Sequence, residues 1–155
     1  MNVLMISKAL VVGAYQKKLE EIAACEDVNL TVVVPPAWGD TPLERVHTTG
    51  YELLVTGIAF NGNFHLHYYP RLRSIVRRTA PDIVHIDEEP YNFATFHAMR
   101  LARRAGAKTV VFTWQNLKRA YPPPFNWMER YVLRHADALL VGNAEAREVW
   151  QAKGY

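Results

Sequence analysis

Residues 81–125 read PDIVHIDEEPYNFATFHAMRLARRAGAKTVVFTWQNLKRAYPPPF. Two short apolar runs, 82–86 and 108–112, flank a helical segment, 91–105, and Gly106 follows that segment. A strand, a crossover helix of about four turns and a second strand form a βαβ unit, whose strands are parallel and buried on both faces. Polar residues follow each strand. Because ligands bind at this edge of open parallel sheets, the sequence predicts the functional site there.

The remaining chain continues the alternation of strands and helices. Apolar runs predict strands at 3–6, 30–34 and 138–141, and apolar residues at helical spacing predict the helices between them. Two β-rich runs, 51–60 and 64–69, are separated by an Asn-Gly-Asn turn and predict a hairpin. We therefore expect an α/β fold with a doubly wound, mainly parallel sheet and helices on both faces. In that topology the loops 7–13 and 87–90, after the first and fourth parallel strands, flank the central crevice.

Length, composition and charge are those of an ordinary globular protein. The 155 residues are half apolar and carry a net charge of +3, which is too small to predict nucleic-acid binding. Cys25 is the sole cysteine and Met1 lies almost directly before the first strand. The length suits a single Rossmann-like domain over 1–155. Because the chain has no disulfide and no room for a signal peptide, we expect that domain to work in the cytoplasm.

Three common nucleotide-binding or signalling sites are not predicted. The first-strand loop, Ser7 to Gly13, has one glycine where a dinucleotide-binding fold needs G-x-G-x-x-G. The P-loop pattern G-x-x-x-x-G-K-[ST] does not occur. A receiver domain needs carboxylates after the first strand, but Ser7 and Lys8 stand there.

The acidic turn, Asp87-Glu88-Glu89-Pro90, places three carboxylates at the predicted crevice. One interpretation is helix capping, because acidic residues before a helix interact favourably with its dipole. The other is that a carboxylate binds sugar hydroxyls or acts as a general base. The sequence leaves both open for Asp87 and Glu89, and favours the second for Glu88.

The loop after the next strand carries an indole and two amides. Trp114 offers a flat apolar face to a sugar ring, and the amides of Gln115 and Asn116 suit vicinal hydroxyls. A buried Trp with two turn-forming amides is an equally simple interpretation. Lys118 and Arg119 are candidate phosphate contacts.

Two pairs of possible metal ligands have the spacing of one strand face, His65-x-His67 and His85-x-Asp87. One strand cannot complete a metal site, so no metal is predicted. His85 is instead interpreted as a hydrogen-bonded histidine of the core or of the crevice edge.

Taken together, these motifs resemble the N-terminal half of a GT-B glycosyltransferase of family 4. The resemblance rests on the opening strand NVLMIS, on the stretch RRTAPDIVHIDEEPYNFATFHAMRLARRAGAKTVVFTWQN, and on the run KRAYPPPFNWMERYVLRHADALLVGNAEAREVWQAKGY. It implies two Rossmann-like domains facing each other across a cleft. It also implies a nucleotide-sugar donor as co-substrate, held mainly by a C-terminal domain that this chain lacks, and a retaining transfer without metal or cofactor.

The resemblance implies that this half supplies the acceptor site. By motif position, Lys8 to Gly13 match the first-strand loop, Glu88 and Glu89 the fourth-strand loop, and Trp114 to Asn116 the fifth-strand loop. The chain departs from the family pattern in two places: near the end of the fifth strand, where many members have a histidine, it reads Thr113-Trp114-Gln115-Asn116, and it keeps only Gly13 of a frequent glycine pair.

We therefore expect the acceptor-binding domain of a hexosyltransferase, inactive alone, acting on a sugar (glycan), lipid-linked or small-molecule acceptor. Glu88 and Gln115 are the predicted catalytic residues. The predicted acceptor-binding residues are Lys8, Gly13, His85, Glu89, Trp114, Asn116, Lys118 and Arg119. The alternatives are a non-catalytic Rossmann-like module that binds a ligand or regulates, and a peripheral membrane contact through the arginines of 71–78.

Overall fold

The computed structural model describes all residues, 1–155. It contains a six-stranded, wholly parallel sheet in the order β5-β2-β1-β6-β7-β8. The strands are β1 (Asn2–Ile6), β2 (Asn29–Val34), β5 (Glu52–Val55), β6 (Ile83–Ile86), β7 (Lys108–Thr113) and β8 (Ala138–Val141). A separate two-residue ladder pairs β3 (Ala37–Trp38) with β4 (Thr41–Pro42). The predicted doubly wound sheet is confirmed.

Helices cover both faces of the sheet. On one face, α2 (Leu72–Thr79), α3 (Phe93–Ala105) and α4 (Phe125–His135) bury the larger apolar core against β1, β6 and β7. On the other face, α1 (Lys17–Ala23) and the loop before it bury a smaller core against β1 and β2. The last helix, α5 (Ala144–Ala152), is tied to α4 by an ion pair of 2.5 Å between Lys153 and Glu129.

Side-chain caps and small residues explain where several helices begin and end. The Asn92 and Asn143 side chains accept hydrogen bonds from the backbone N–H groups of Thr95 and Ala146, at 2.9 and 2.8 Å, and begin α3 and α5. Gly106 ends α3 in the left-handed conformation, at φ 77°. Ala94, Ala98 and Ala102 of α3 are buried, which lets that helix lie close to the sheet.

The predicted hairpin is wrong. Residues 52–55 form β5, the parallel edge strand beside β2, and only one antiparallel bridge, between Ala59 and Tyr68, joins the two predicted runs. The Asn63 side chain accepts hydrogen bonds from the backbone N–H groups of His65 and Leu66, at 3.2 and 3.0 Å. These local bonds stabilise a turn where the second strand was expected.

The helices α2, α3 and α4 present a strongly basic outer surface, which we call the arginine face. The single acidic residue within these helices is Glu129, which is buried. None of the arginines forms an ion pair, since the pairs of the structure involve only Lys and His. The face consists of the exposed residues Arg71, Arg73, Arg77, Arg78, Arg100, Arg103, Arg104, Arg130 and Arg134.

None of the helices is both long and apolar enough to span a lipid bilayer.

Candidate functional site

The loops that follow β1, β6 and β7 lie side by side at the carboxyl edge of the sheet, because those strands are neighbours. They enclose one side of a cavity of about 870 Å³. The size is that of a typical small-molecule site. The lining residues, most of them apolar, are Lys8, Ala9, Val11, Val12, Ala14, Tyr15, Lys18, Trp38, Thr41, Phe64, His85, Asp87, Glu88, Glu89, Phe112, Trp114 and Leu140.

The floor of the cavity is the part of the sheet that α1 does not cover. Parallel pairing aligns Met5 with His85, His85 with Val110, and Phe112 with Leu140, so these side chains point to the same face. On β1 this face is sealed by the smaller core. On β7 and β8 it is open, and Leu140 is 46% exposed. An uncovered apolar sheet surface therefore borders the polar rim.

Glu88 is the centre of a buried polar network. Its carboxylate accepts hydrogen bonds from the backbone N–H of Lys8, at 2.8 Å, and from the Lys8 ammonium. His67 Nε2 lies 3.3 Å from the same carboxylate, and the Tyr69 hydroxyl donates to it at 3.4 Å. The Glu88 side chain is fully buried. The network fixes the first-strand loop to the acidic turn, and Glu88 faces Lys8 rather than open solvent.

The charge of Glu88 is stabilised by its partners. Burial by itself raises the pKa of this carboxyl, but the Lys8 charge and the hydrogen bond and charge of His67 outweigh burial and lower its pKa to about 2. Glu88 is therefore an ionised partner of Lys8 and is unsuited to take up a proton near neutral pH.

Glu89 joins the acidic turn to the loop after β7. Its carboxylate accepts hydrogen bonds from the Thr113 hydroxyl at 2.5 Å and from the backbone N–H of Trp114 at 3.0 Å. Burial raises the pKa of Glu89, and the hydrogen bonds from Thr113 and Trp114 act against that effect. The two loops that the sequence predicts to converge are thus in direct contact at one rim.

Trp114 lies at the mouth of the cavity with 60% of its surface exposed, so the interpretation as a buried Trp is wrong. Its ring packs edge-on against Phe112, with centroids 5.6 Å apart. It also lies directly over Gly142, where an added Cβ would come within 2.2 Å of the indole. The glycine at this position allows the ring to lie against the end of β8.

Asp87 and His85 extend the polar side of the cavity along β6. Lys18 of α1 forms an ion pair with Asp87 at 2.8 Å. Burial lowers the pKa of His85 while Asp87 raises it, and the net effect is a lower pKa, which favours the neutral ring. His85 Nε2 is buried and has no hydrogen-bond partner. The sequence predicted a hydrogen-bonded His85, but its Nε2 forms no hydrogen bond.

Five of the predicted site residues line the cavity, and five do not. Those that line it are Lys8, His85, Glu88, Glu89 and Trp114. Asn116, Lys118 and Arg119 are exposed and lie outside the lining. The Gln115 amide donates to the Leu117 carbonyl at 3.1 Å within its own loop, and the side chain is buried.

Gly13 lies outside the lining because another part of the chain occupies the space beside it. Its N–H donates to the Glu44 carboxylate at 2.6 Å, and an added Cβ would come within 2.3 Å of Val46. Gly13 thus permits close approach of the segment 44–46, and its N–H is not free for a ligand.

The capping interpretation of the acidic turn is wrong, because α3 begins at Phe93 and its cap is Asn92. The apolar half of the site was not predicted from the sequence; it consists of Tyr15, Trp38, Phe64, Phe112 and Leu140. Phe112 and Leu140 could have been found from the sequence. Each is an apolar residue of a predicted strand, and every second residue of a strand points to the same face of the sheet.

No group of three or more His, Cys, Asp or Glu side chains is arranged to hold a metal ion.

Solved structures share this architecture at low sequence identity. A UDP-N-acetylglucosamine 2-epimerase superposes with a TM-score of 0.68 at 12% identity, covering 100% of this chain and 45% of that one. Arabidopsis thaliana UGT89C1 complexed with UDP superposes with a TM-score of 0.55 at 13% identity, covering 95% of this chain and 46% of that one. This chain thus spans less than half the length of either protein. At this identity the likeness concerns the fold, which is of the GT-B type.

At the level of sequence, no curated protein matches the chain. A family model does, the glycosyl transferase 4-like domain, over residues 13–155. That range includes β2 to β8 and all the cavity residues except Lys8, Ala9, Val11 and Val12. The chain belongs to the family of glycosyl transferase 4-like domains.

Proposed function

We propose that this chain is the acceptor-binding, N-terminal domain of a retaining hexosyltransferase. The observation that carries the proposal is the convergence of three loops, after β1, β6 and β7, around one cavity at the carboxyl edge of the sheet. In open parallel sheets this edge is the ligand-binding edge. In the proposal, a C-terminal domain binds the nucleotide sugar and closes over this edge. The chain alone is inactive, and the unpaired Cys25 supports a cytoplasmic site of action.

The geometry supports different roles for the two adjacent glutamates. We assign Glu88 to positioning, because its carboxylate is buried and holds Lys8. We assign Glu89 and Trp114 to the rim that orients the acceptor, because they are bonded to each other beside the cavity. Gln115, predicted as catalytic from the sequence, is assigned to stabilising its own loop.

The reaction exchanges one bond at the anomeric carbon of the donor sugar. The acceptor hydroxyl forms a new bond to that carbon, and the bond to the nucleoside diphosphate breaks. The hydroxyl proton leaves with the diphosphate or passes to solvent. What this domain contributes is a fixed position for the acceptor, and holding two reactants in the right geometry accounts for a large part of enzymatic rate enhancement.

The test is a transfer assay with the complete two-domain protein. We expect sugar transfer from a nucleotide sugar, and ¹H NMR of the product is expected to show the anomeric configuration of the donor. The chain 1–155, assayed in parallel at the same concentration, is the control and is expected to transfer nothing. A product of inverted configuration, or turnover by the chain alone, would contradict the proposal.

A second proposal concerns the arginine face. Nine exposed arginines, none of them in an ion pair, lie on or directly beside three adjacent helices. Near an anionic lipid surface each cation contributes about 1 kcal/mol of attraction. We propose that this face makes a peripheral contact with anionic membranes, over a wider area than residues 71–78.

A further inference from the structure

The cavity combines a large apolar surface with a narrow polar rim. Its apolar groups include Phe112 and Leu140 on the floor and Trp38, Phe64 and Tyr15 on the walls. Tyr15 is 56% exposed and Phe64 is 40% exposed, so aromatic surface remains in contact with solvent. Exposed apolar patches rimmed by polar residues mark binding sites for apolar groups. A ligand that offers mainly hydroxyl groups would leave most of this apolar surface without a contact.

Both cations of the cavity are paired with carboxylates, although 43% of the Lys18 side chain is exposed. Lys8 is bound to Glu88, and Lys18 is paired with Asp87 at 2.8 Å. The remaining carboxylate, Glu89, receives hydrogen bonds only from the uncharged Thr113 hydroxyl and the Trp114 N–H. With two lysines and three carboxylates in the lining, the formal charge is −1. Phosphate recognition requires available Arg or Lys donors, so the cavity is poorly suited to a phosphate-bearing acceptor.

We infer that the acceptor is uncharged and carries an apolar ring, aromatic or of similar shape, which lies on Phe112 and Leu140 beneath Trp114. This inference rests on the proposed function and narrows it, since it selects an uncharged acceptor over one linked to a lipid through phosphate. The ring fills the open half of the sheet surface, and the hydroxyl-bearing part lies towards Glu89. A cavity of about 870 Å³ is large enough for both parts.

The test is a binding experiment on the chain 1–155 with three probes: phenyl glucoside, methyl glucoside and phenyl phosphate. Binding is followed by tryptophan fluorescence and by ¹H–¹⁵N shifts, with the Trp114 indole signal as the local reporter. We expect phenyl glucoside to bind at least tenfold more tightly than methyl glucoside, because only the former has a ring for the floor. Phenyl phosphate, which has the ring and a negative charge, is expected to bind at least tenfold more weakly than phenyl glucoside.

Two matched variants test whether the phenyl ring binds on the floor of the cavity. Leu140→Gln places a polar group on the floor and is expected to weaken phenyl glucoside binding about tenfold. Val55→Gln makes a similar change at a similarly exposed strand residue, 40% against 46%, on the opposite edge of the sheet. It is expected to leave binding unchanged, and circular dichroism of both variants checks that they are folded.

Equal binding of the two glucosides, tighter binding of phenyl phosphate, no measurable binding of phenyl glucoside, or indifference to Leu140→Gln would each overturn the inference. Each of these results leaves the proposed function intact as long as the complete protein transfers sugar. Conversely, phenyl glucoside binding at the floor by a protein that transfers no sugar would contradict the proposed function alone.

Discussion

Glu88 is the residue whose position differs most from its predicted role. The sequence correctly places three adjacent carboxylates at the ligand-binding edge, but it does not indicate which of them faces the cavity. That choice depends on His67 and Tyr69, which approach Glu88 from a segment about 20 residues earlier in the chain. Contacts between distant segments of irregular structure leave no periodic pattern in a sequence, so only the structure separates Glu88 from Glu89.

The Lys8–Glu88 pair makes a testable contribution to stability. Either Lys8→Met or Glu88→Gln leaves a buried partner without its counter-charge, and we expect each to lower the free energy of unfolding by about 3 kcal/mol. The double variant removes both charges and is expected to cost at least about 1 kcal/mol less than the sum of the single changes. Urea unfolding of the wild type, the two single variants and the double variant measures these free energies. Strictly additive costs would show that the two side chains do not interact.

The same pair predicts how stability depends on pH. The pKa of Glu88 is lowered from 4.5 to about 2, so its ionised form stabilises the fold. This contribution is fully present above pH 4.5 and is lost as the pH falls towards 2. We therefore expect the stability difference between the wild type and Glu88→Gln to shrink when urea unfolding is repeated at pH 5, 4 and 3. A difference that stays constant over this range would contradict the assignment.

The turn at 60–67 shows where patterns of secondary structure mislead. Asn-Gly-Asn between β-rich runs has the signature of a hairpin, but the Asn63 side chain accepts hydrogen bonds from His65 and Leu66, the second and third residues of the expected second strand. As a result, His67 points inward to Glu88 and Phe64 lies at the cavity. The local prediction failed because a side chain offered the backbone an alternative to strand pairing. Strands and helices bounded by strong apolar runs or by Gly106 and Asn143 were predicted correctly.

The N-terminus of α3 supports the acidic turn. Asn92 caps the helix, and the Thr95 hydroxyl lies within 3.1 Å of the Glu88 carbonyl and 2.8 Å of the Glu89 carbonyl. We expect Asn92→Ala to cost about 1 kcal/mol of stability, the usual effect of removing a cap. It should also weaken phenyl glucoside binding, because the turn that carries Glu89 loosens.

Asn143→Ala is the matched control for that variant. Asn143 caps α5 through the equivalent hydrogen bond, accepted from the backbone N–H of Ala146 at 2.8 Å, but it follows β8 and forms no hydrogen bond with the acidic turn. Thermal or urea unfolding is expected to show a similar loss for both variants, whereas titration should show weaker binding only for Asn92→Ala. Equal binding by both variants would show that the Asn92 cap does not influence the binding site.

The arrangement of the whole sheet follows from the alternation of strands and helices. Right-handed crossovers and one reversal of direction give the order seen here, with β1 and β6 side by side at the switch point. The cavity was only half predicted. Its polar rim follows from residues at strand ends, but its apolar floor exists because α1 covers β1 and β2 and leaves β7 and β8 open. The extent to which a helix covers a sheet is a property of tertiary packing.

The arginine face gives a prediction for membrane binding. The chain is expected to co-sediment with vesicles containing phosphatidylglycerol but not with vesicles of phosphatidylcholine alone, and added salt should weaken the interaction. Arg77→Glu with Arg104→Glu should weaken it at least tenfold, because two of the nine attractions become repulsions. The control is Arg45→Glu with Arg147→Glu, which changes the net charge equally but at exposed residues outside this face. An equal loss in both double variants would show that net charge, and not the face, governs binding.

The most direct measurement of the central claim, that the acceptor binds in the cavity beside the acidic turn, is the acceptor KM of the complete protein carrying Trp114→Ala. Loss of the ring at the mouth is expected to raise the acceptor KM about tenfold and to leave the donor KM unchanged. Trp127→Ala is the control, since Trp127 is 63% exposed, close to the 60% of Trp114, but lies on α4 outside the cavity. An unchanged acceptor KM in Trp114→Ala, or a rise in the donor KM instead, would contradict the account.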